Sequence, residues 1–212
     1  MSFLGYNRAV DHRLALALGV LVAACHHPPD LAVELAIPDV NQDTDYTCSA
    51  SALQGVLAYY GADLTESTLA AELHATPADG APPEAIVRVA RAHGLDTIAR
   101  DDTTRDDLAE ELAARRPAIV DLQAWADPPR KQWADDWDDG HYVVLIAIDG
   151  DTLVFEDPSL AGKRATLSAA ELDARWHDED AHRRHAHTAI LFHTAAPAHP
   201  RPVAPLPRAH MD

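Results

Sequence analysis

Cysteine is scarce in this chain: there are 2 among 212 residues, Cys25 and Cys48. Two cysteines build no disulfide framework. Basic residues are also few, 17 against 34 acidic ones, for a formal net charge of -17. Phosphate binding needs clustered Lys and Arg, so this balance argues against nucleic acid as a partner. It also disfavours an anionic membrane surface for the folded part. The excess acid reads as a soluble, self-repelling surface. Long apolar runs are missing too. The run at residues 14–24 (LALALGVLVAA) is about half of what a transmembrane helix needs. There is no internal repeat and no GxxxxGK[ST] phosphate loop. What remains is enough chain for one domain with a sizeable core.

The first residues do not read as part of that core. Arg8 and Arg13 precede the apolar run, which has the length of an export signal's central region. The sequence VAAC at residues 22–25 follows and resembles a bacterial lipobox, in which the Cys is cleaved and lipidated. Residues 1–24 are therefore expected to be a signal peptide and 25–38 a tether, with Cys25 as a lipid anchor. The protein is expected to be exported, as a lipoprotein at the cell envelope or as a plain secreted form. A membrane is expected as a partner only through that anchor. Cys48 would then be the one thiol of the mature chain.

The centre of the chain is the stretch VNQDTDYTCSASALQGVLAYYG at residues 40–61. Leu53, Val56, Leu57 and Tyr60 recur at helical spacing and predict an amphipathic helix. Gly61 suits its left-handed end, and Asp45 or Thr47 can cap its front. Further helices are predicted after Thr65, after the Pro82-Pro83 pair, and after the capping boxes at Thr104/Asp107 and Ser168/Glu171. Strands are predicted at 95–99, 118–125, 141–149, 152–156 and 188–192. A turn at Asp149-Gly150-Asp151 joins two of them. Helices come first and an antiparallel meander follows, which predicts an α+β domain with the Cys48 helix packed on a sheet. That domain is placed at 39–195. Residues 196–212, with five prolines, read as an extended tail.

Cysteine catalysis needs a thiolate, a base, a group that orients the base, and donors for an oxyanion. Cys48 falls on the first turn of a helix, where the dipole favours negative sulfur by about 0.3–1 kcal/mol. That is less than a tenfold effect, so an imidazolium must supply the rest. His141 opens the most apolar strand, and Asp157 ends the next one. The turn between them brings both to one end of a hairpin. Gln42 lies six residues before Cys48, where its amide can sit beside the Cys48 backbone N–H. Each residue alone has an ordinary structural reading. Their order and placement together fit one mechanism.

These residues resemble the C39 family of papain-like cysteine peptidases. The matching text is NQDTDYTCSASALQGVLAYYG, DGHYVVLIAID and VFEDPSLAG, with GAPPEAIVRVARAHGL, RPAIVDLQAWA and RWHD between and after. The resemblance implies a papain-like fold with Cys48 as nucleophile, His141 as base, Asp157 as its orienter and Gln42 as oxyanion donor. It implies a cysteine peptidase of the stand-alone branch that acts on a peptide or protein. The alternatives are a peptide-binding module without activity and an amidase acting on cell-wall peptides. The family usually has Gly after the Cys. Here Ser49 stands there, and its side chain is expected to narrow the approach to sulfur.

Asp135, Asp136, Asp138 and Asp139 precede His141 and read as a solvated loop. If near, they would raise its pKa. His177, His182, His185 and His187 match no zinc spacing and read as a polar loop. No cofactor and no metal is expected. Trp125, Trp133 and Trp137 fit either a substrate groove or a small core of their own.

Overall fold

The capping signals become helices where the sequence places them. In the computed structural model, which describes residues 34–125, 132–180 and 183–211, α1 spans Cys48–Tyr59, α2 Glu66–Leu73 and α3 Pro83–Ala92. Then follow β1 (Thr97–Arg100), α4 (Arg105–Ala113) and β2 (Ala118–Gln123). After a 3-10 turn at Trp133–Asp135 come β3 (Gly140–Asp149), β4 (Thr152–Glu156), β5 (Arg164–Ser168) and α5 (Ala169–Arg175). The chain ends with β6 (His177–Glu179), β7 (Arg184–Ala186), β8 (Ala189–Phe192) and β9 (Arg208–His210). Thr65 caps α2, and the boxes at Thr104/Asp107 and Ser168/Glu171 both close reciprocally. The expected signal peptide and Cys25, most of the tether, residues 126–131 and His182 lie outside the described residues.

Seven strands form one sheet in the order β1-β8-β2-β3-β4-β5-β9, antiparallel except for the parallel β5–β9 pair. Side chains alternate across it. Tyr142, Val144 and Ile146 of β3 join the core made with α1, α2 and α3. Val143 and Leu145 face the second core, with Leu108, Leu172 and Trp176. No helix among the described residues is long and apolar enough to cross a membrane.

The α1 helix departs from the expected amphipathic form. Leu53, Val56 and Leu57 are fully buried as predicted, but so are Ser49, Ala50, Ser51 and Ala52. The cause is tertiary: β3, α2 and α3 surround the helix, and the lead-in at 35–40 crosses it. Gly55 permits that crossing, since a Cβ there would come within 3.2 Å of Ile37 Cγ2. The predicted cap is also absent. Thr47 holds the N-cap position without a side-chain cap bond, because its hydroxyl turns back to the Thr44 loop. Gly61 takes the predicted positive φ, +94°.

Four short strands, β5, β6, β7 and β9, carry no sequence signal. The β6–β7 ribbon is polar (HDE and RHA) and is made by pairing rather than by apolar alternation. The C-terminal stretch is extended, as expected. Its end then docks: β9 adds to the sheet edge and Met211 is 2% exposed.

An internal ion pair ties the lead-in to the sheet. Arg164, fully buried, contacts Glu156 through Nη1 and donates to Ile37 O at 2.6 Å and to Glu34 Oε1 at 3.2 Å. Glu156 Oε1 in turn accepts from Val40 N at 2.9 Å. This clamp sits one residue before Asp157 and two residues before Gln42.

Candidate active site

Three elements bring Cys48, His141 and Asp157 together. Cys48 is the first residue of α1, so its backbone N–H lacks a partner within the helix. The thiol is free and 7% exposed. His141 is the second residue of β3, and Asp157 directly follows β4. His141 Nε2 and Asp157 Oδ1 are 2.8 Å apart, and both side chains are buried. The Cys48 sulfur is near enough to act on the His141 ring. With Nε2 taken by Asp157, Nδ1 is the nitrogen left for sulfur.

The electrostatics reinforce this array. Burial pulls the His141 pKa down. The hydrogen bond to Asp157, the nearby Cys48 sulfur and the charges of both outweigh it and push the value up to about 10. For Asp157 burial acts upward, but the His141 bond and charge and the Ser159 donors hold it below the usual carboxylate value. Ser159 gives its backbone N–H at 2.8 Å and its hydroxyl at 2.7 Å to Asp157 Oδ1. The carboxylate is thus fixed from two sides. The acidic run before His141 does not enter: Asp157 and Cys48 account for the upward shift.

Gln42 lies on the same rim, with its N–H donating to Pro158 O at 3.0 Å. Its side-chain Nε2 donates to Thr44 O at 3.1 Å. An amide nitrogen has two hydrogens, so one remains. The amide oxygen is buried without a partner. Ser49 is fully buried, and it lines neither hollow beside the site. It therefore points into the core and leaves the approach to sulfur open, contrary to expectation.

Two hollows meet here. One, of about 220 Å³, reaches Cys48 between the Pro77–Pro82 loop, Trp137, Tyr142 and the β6–β7 ribbon. The other, of about 590 Å³, holds Gln42, Trp125, Pro158 and Ser159. Asp45, Asp138 and Gly140 border both. The tryptophans divide between the two expected roles. Trp125 and Trp137 line the hollows. Trp133 instead lies under the Arg175 guanidinium at 3.9 Å. The Trp125 ring covers His141 with centroids 4.6 Å apart and takes a positive φ of 54°. Ser159 is missed by sequence reasoning, although it had a signal, the turn-forming Asp157-Pro158-Ser159.

The histidine cluster is not one site. His177 Nε2 meets Asp136 O at 2.8 Å, and His187 stacks on Trp176. Among the described histidines of the cluster, only His185 lines the Cys48 hollow.

An α+β fold with a cysteine-headed helix against an antiparallel sheet, and a buried His–Asp pair on that sheet, is the papain-like cysteine peptidase architecture. More narrowly, residues 34–180 match the Peptidase_C39 like family, and the chain belongs to it. Solved structures share the fold. A protein from Bacillus anthracis assigned as a C39-like peptidase is 16% identical, with a TM-score of 0.58 over 79% of this chain and 100% of its own. The peptidase domain of Streptococcus ComA, a bi-functional ABC transporter of a quorum sensing pathway, is 18% identical, at TM-score 0.55 over 76% and 98%. A double glycine motif protease from an AMS/PCAT transporter, solved with its leader peptide, is 18% identical, at TM-score 0.54 over 75% and 92%. No curated protein matches the sequence.

Proposed function

We propose that this protein is a cysteine peptidase that hydrolyses peptide bonds through Cys48, His141 and Asp157, with Gln42 as an oxyanion donor. The observation that carries the reading is the buried His141–Asp157 hydrogen bond beside the Cys48 thiol at the head of α1. The Cys48 sulfur attacks a substrate carbonyl and a C–S bond forms. The Cys48 N–H and the remaining Gln42 N–H hold the oxyanion. His141 gives its proton to the leaving amine as the C–N bond breaks. Water, deprotonated by His141, then releases the acyl group and restores the thiol. Asp157 keeps Nε2 engaged throughout, so that Nδ1 faces the reaction. The joined hollows give a peptide room on both sides of Cys48.

The test is cleavage profiling of the purified chain on a peptide library, with mass-spectrometric readout. Cys48→Ala and His141→Ala are each expected to abolish cleavage. Turnover equal to wild type in either variant would sink the reading. The export route belongs to the same proposal: labelled fatty acid should enter the wild type and not Cys25→Ala.

A further inference from the structure

Beside the Cys48–His141 pair the sheet carries a buried carboxylate with no hydrogen bond, whose nearest basic group is His185 Nδ1, 3.6 Å from Oδ2. Asp121 lies within β2, opposite Tyr142 of β3. Alternation puts it on the face of Ile119, which is turned toward α1. It is 1% exposed, and no group meets either oxygen in hydrogen-bonding geometry. Asp178, Cys48 and Tyr142 are near enough to act on its charge. A buried carboxylate without a hydrogen bond is costly.

The β6–β7 ribbon brings two more donors to this point. Asp178 and His185 are directly opposite in its register, and both line the Cys48 hollow. One ligand atom from each of Asp121, Asp178 and His185 lies within 4.8 Å of the others. The surroundings hold these donors in place. Thr188 Oγ1 gives its single hydrogen to Asp101 Oδ1 at 2.7 Å. In its 3.0 Å contact with His185 Nδ1, the ring must therefore donate. A neutral ring then has its lone pair on Nε2, which is buried without a partner. Metal-bound histidines are oriented in this way, with the far N–H given to an oxygen. Asp178 Oδ1 accepts from Gln123 Nε2 at 2.8 Å. Its carboxylate also occupies space that any Cβ at residue 140 would fill, so Gly140 makes room for it.

We propose that Asp121, Asp178 and His185 bind one divalent transition-metal ion, best matched by zinc, in the wall of the hollow beside Cys48. Two carboxylates and an imidazole suit zinc or manganese rather than calcium or magnesium, which prefer oxygen alone. Zinc ligands sit at about 2.0–2.2 Å, so the three donors must draw together slightly on binding. Asp180 Oδ2, 3.9 Å from His185 Nε2, is placed to join them. The site stands whether or not the chain cleaves peptides.

The experiment uses the full chain carrying Cys25→Ala and Cys48→Ala, so that no thiol cleaves or binds. After chelation and dialysis it is titrated with zinc chloride by calorimetry, and the bound metal is counted. One zinc per chain is expected. Adding Thr188→Ala, which keeps all three donors, should weaken binding by about 10- to 100-fold. Adding Asp121→Asn or His185→Gln should weaken it more than Thr188→Ala does. Two results would overturn the proposal: no stoichiometric uptake, or uptake that Asp121→Asn and His185→Gln leave unchanged, which would place the zinc on other histidines.

Discussion

Gln42 and Asp157 act on different parts of the proposed reaction, and single substitutions should separate them. Gln42→Ala removes one oxyanion donor and is expected to lower kcat by about 10²- to 10³-fold, with a smaller change in KM. Asp157→Asn keeps the shape but removes the charge that holds the imidazolium, so kcat should again fall more than KM rises. Steady-state kinetics on one cleaved peptide checks both. The pH dependence of stability follows from His141. Its folded pKa, about 10, lies above its ordinary 6.5. Its stabilisation is therefore complete below pH 6.5 and lost as pH rises through 10. Urea denaturation at stepped pH should show this decline in the wild type and its absence in His141→Gln. At this scale the sequence named His141 and Asp157, which the structure joins by a hydrogen bond. It named neither Ser159 nor Asp121, because a residue's partners depend on which strands pair, and local spacing carries no record of that.

At the scale of elements, the segment that carries Gln42 depends on a buried clamp rather than on its own conformation. The lead-in at 34–40 forms no named strand, yet Leu35 N donates to Ile146 O at 2.9 Å and Arg164 grips its carbonyl at Ile37. Removing one partner of a buried pair leaves the other charge uncompensated. Arg164→Ala is thus expected to cost about 3–5 kcal/mol, read by chemical denaturation. Replacing both Arg164 and Glu156 by apolar residues should recover much of that loss, and failure to do so would mean that the bonds to Ile37 and Val40 matter more than the charges. The amphipathic pattern of α1 belongs to this scale too. Its Leu and Val positions announced a helix and one buried face. The polar face of Ser49 and Ser51 gave no sign of burial, because the elements that cover it come from elsewhere in the chain.

Across the whole molecule, the C-terminal stretch closes the sheet edge. Arg164 N donates to Pro207 O at 2.9 Å, β9 pairs with β5, and Met211 joins the second core. Deleting residues 206–212 should therefore destabilise the protein by about 1.5–3 kcal/mol, the worth of one buried apolar side chain. Its ion pairs, which are partly exposed, add little. Equal urea midpoints for the full and shortened chains would contradict this. The sequence by itself determined the helices, the main strands, the α+β class and the order of the reactive residues, since caps, turns and periodicity act over a few neighbours. Only the tertiary structure decided that α1 is enclosed, that Ser49 faces inward, that the last residues form an edge strand, and that Asp121 meets Asp178 and His185. Those facts rest on strand register and on contacts between residues tens of positions apart, where the free energy of packing and not local preference selects the neighbour.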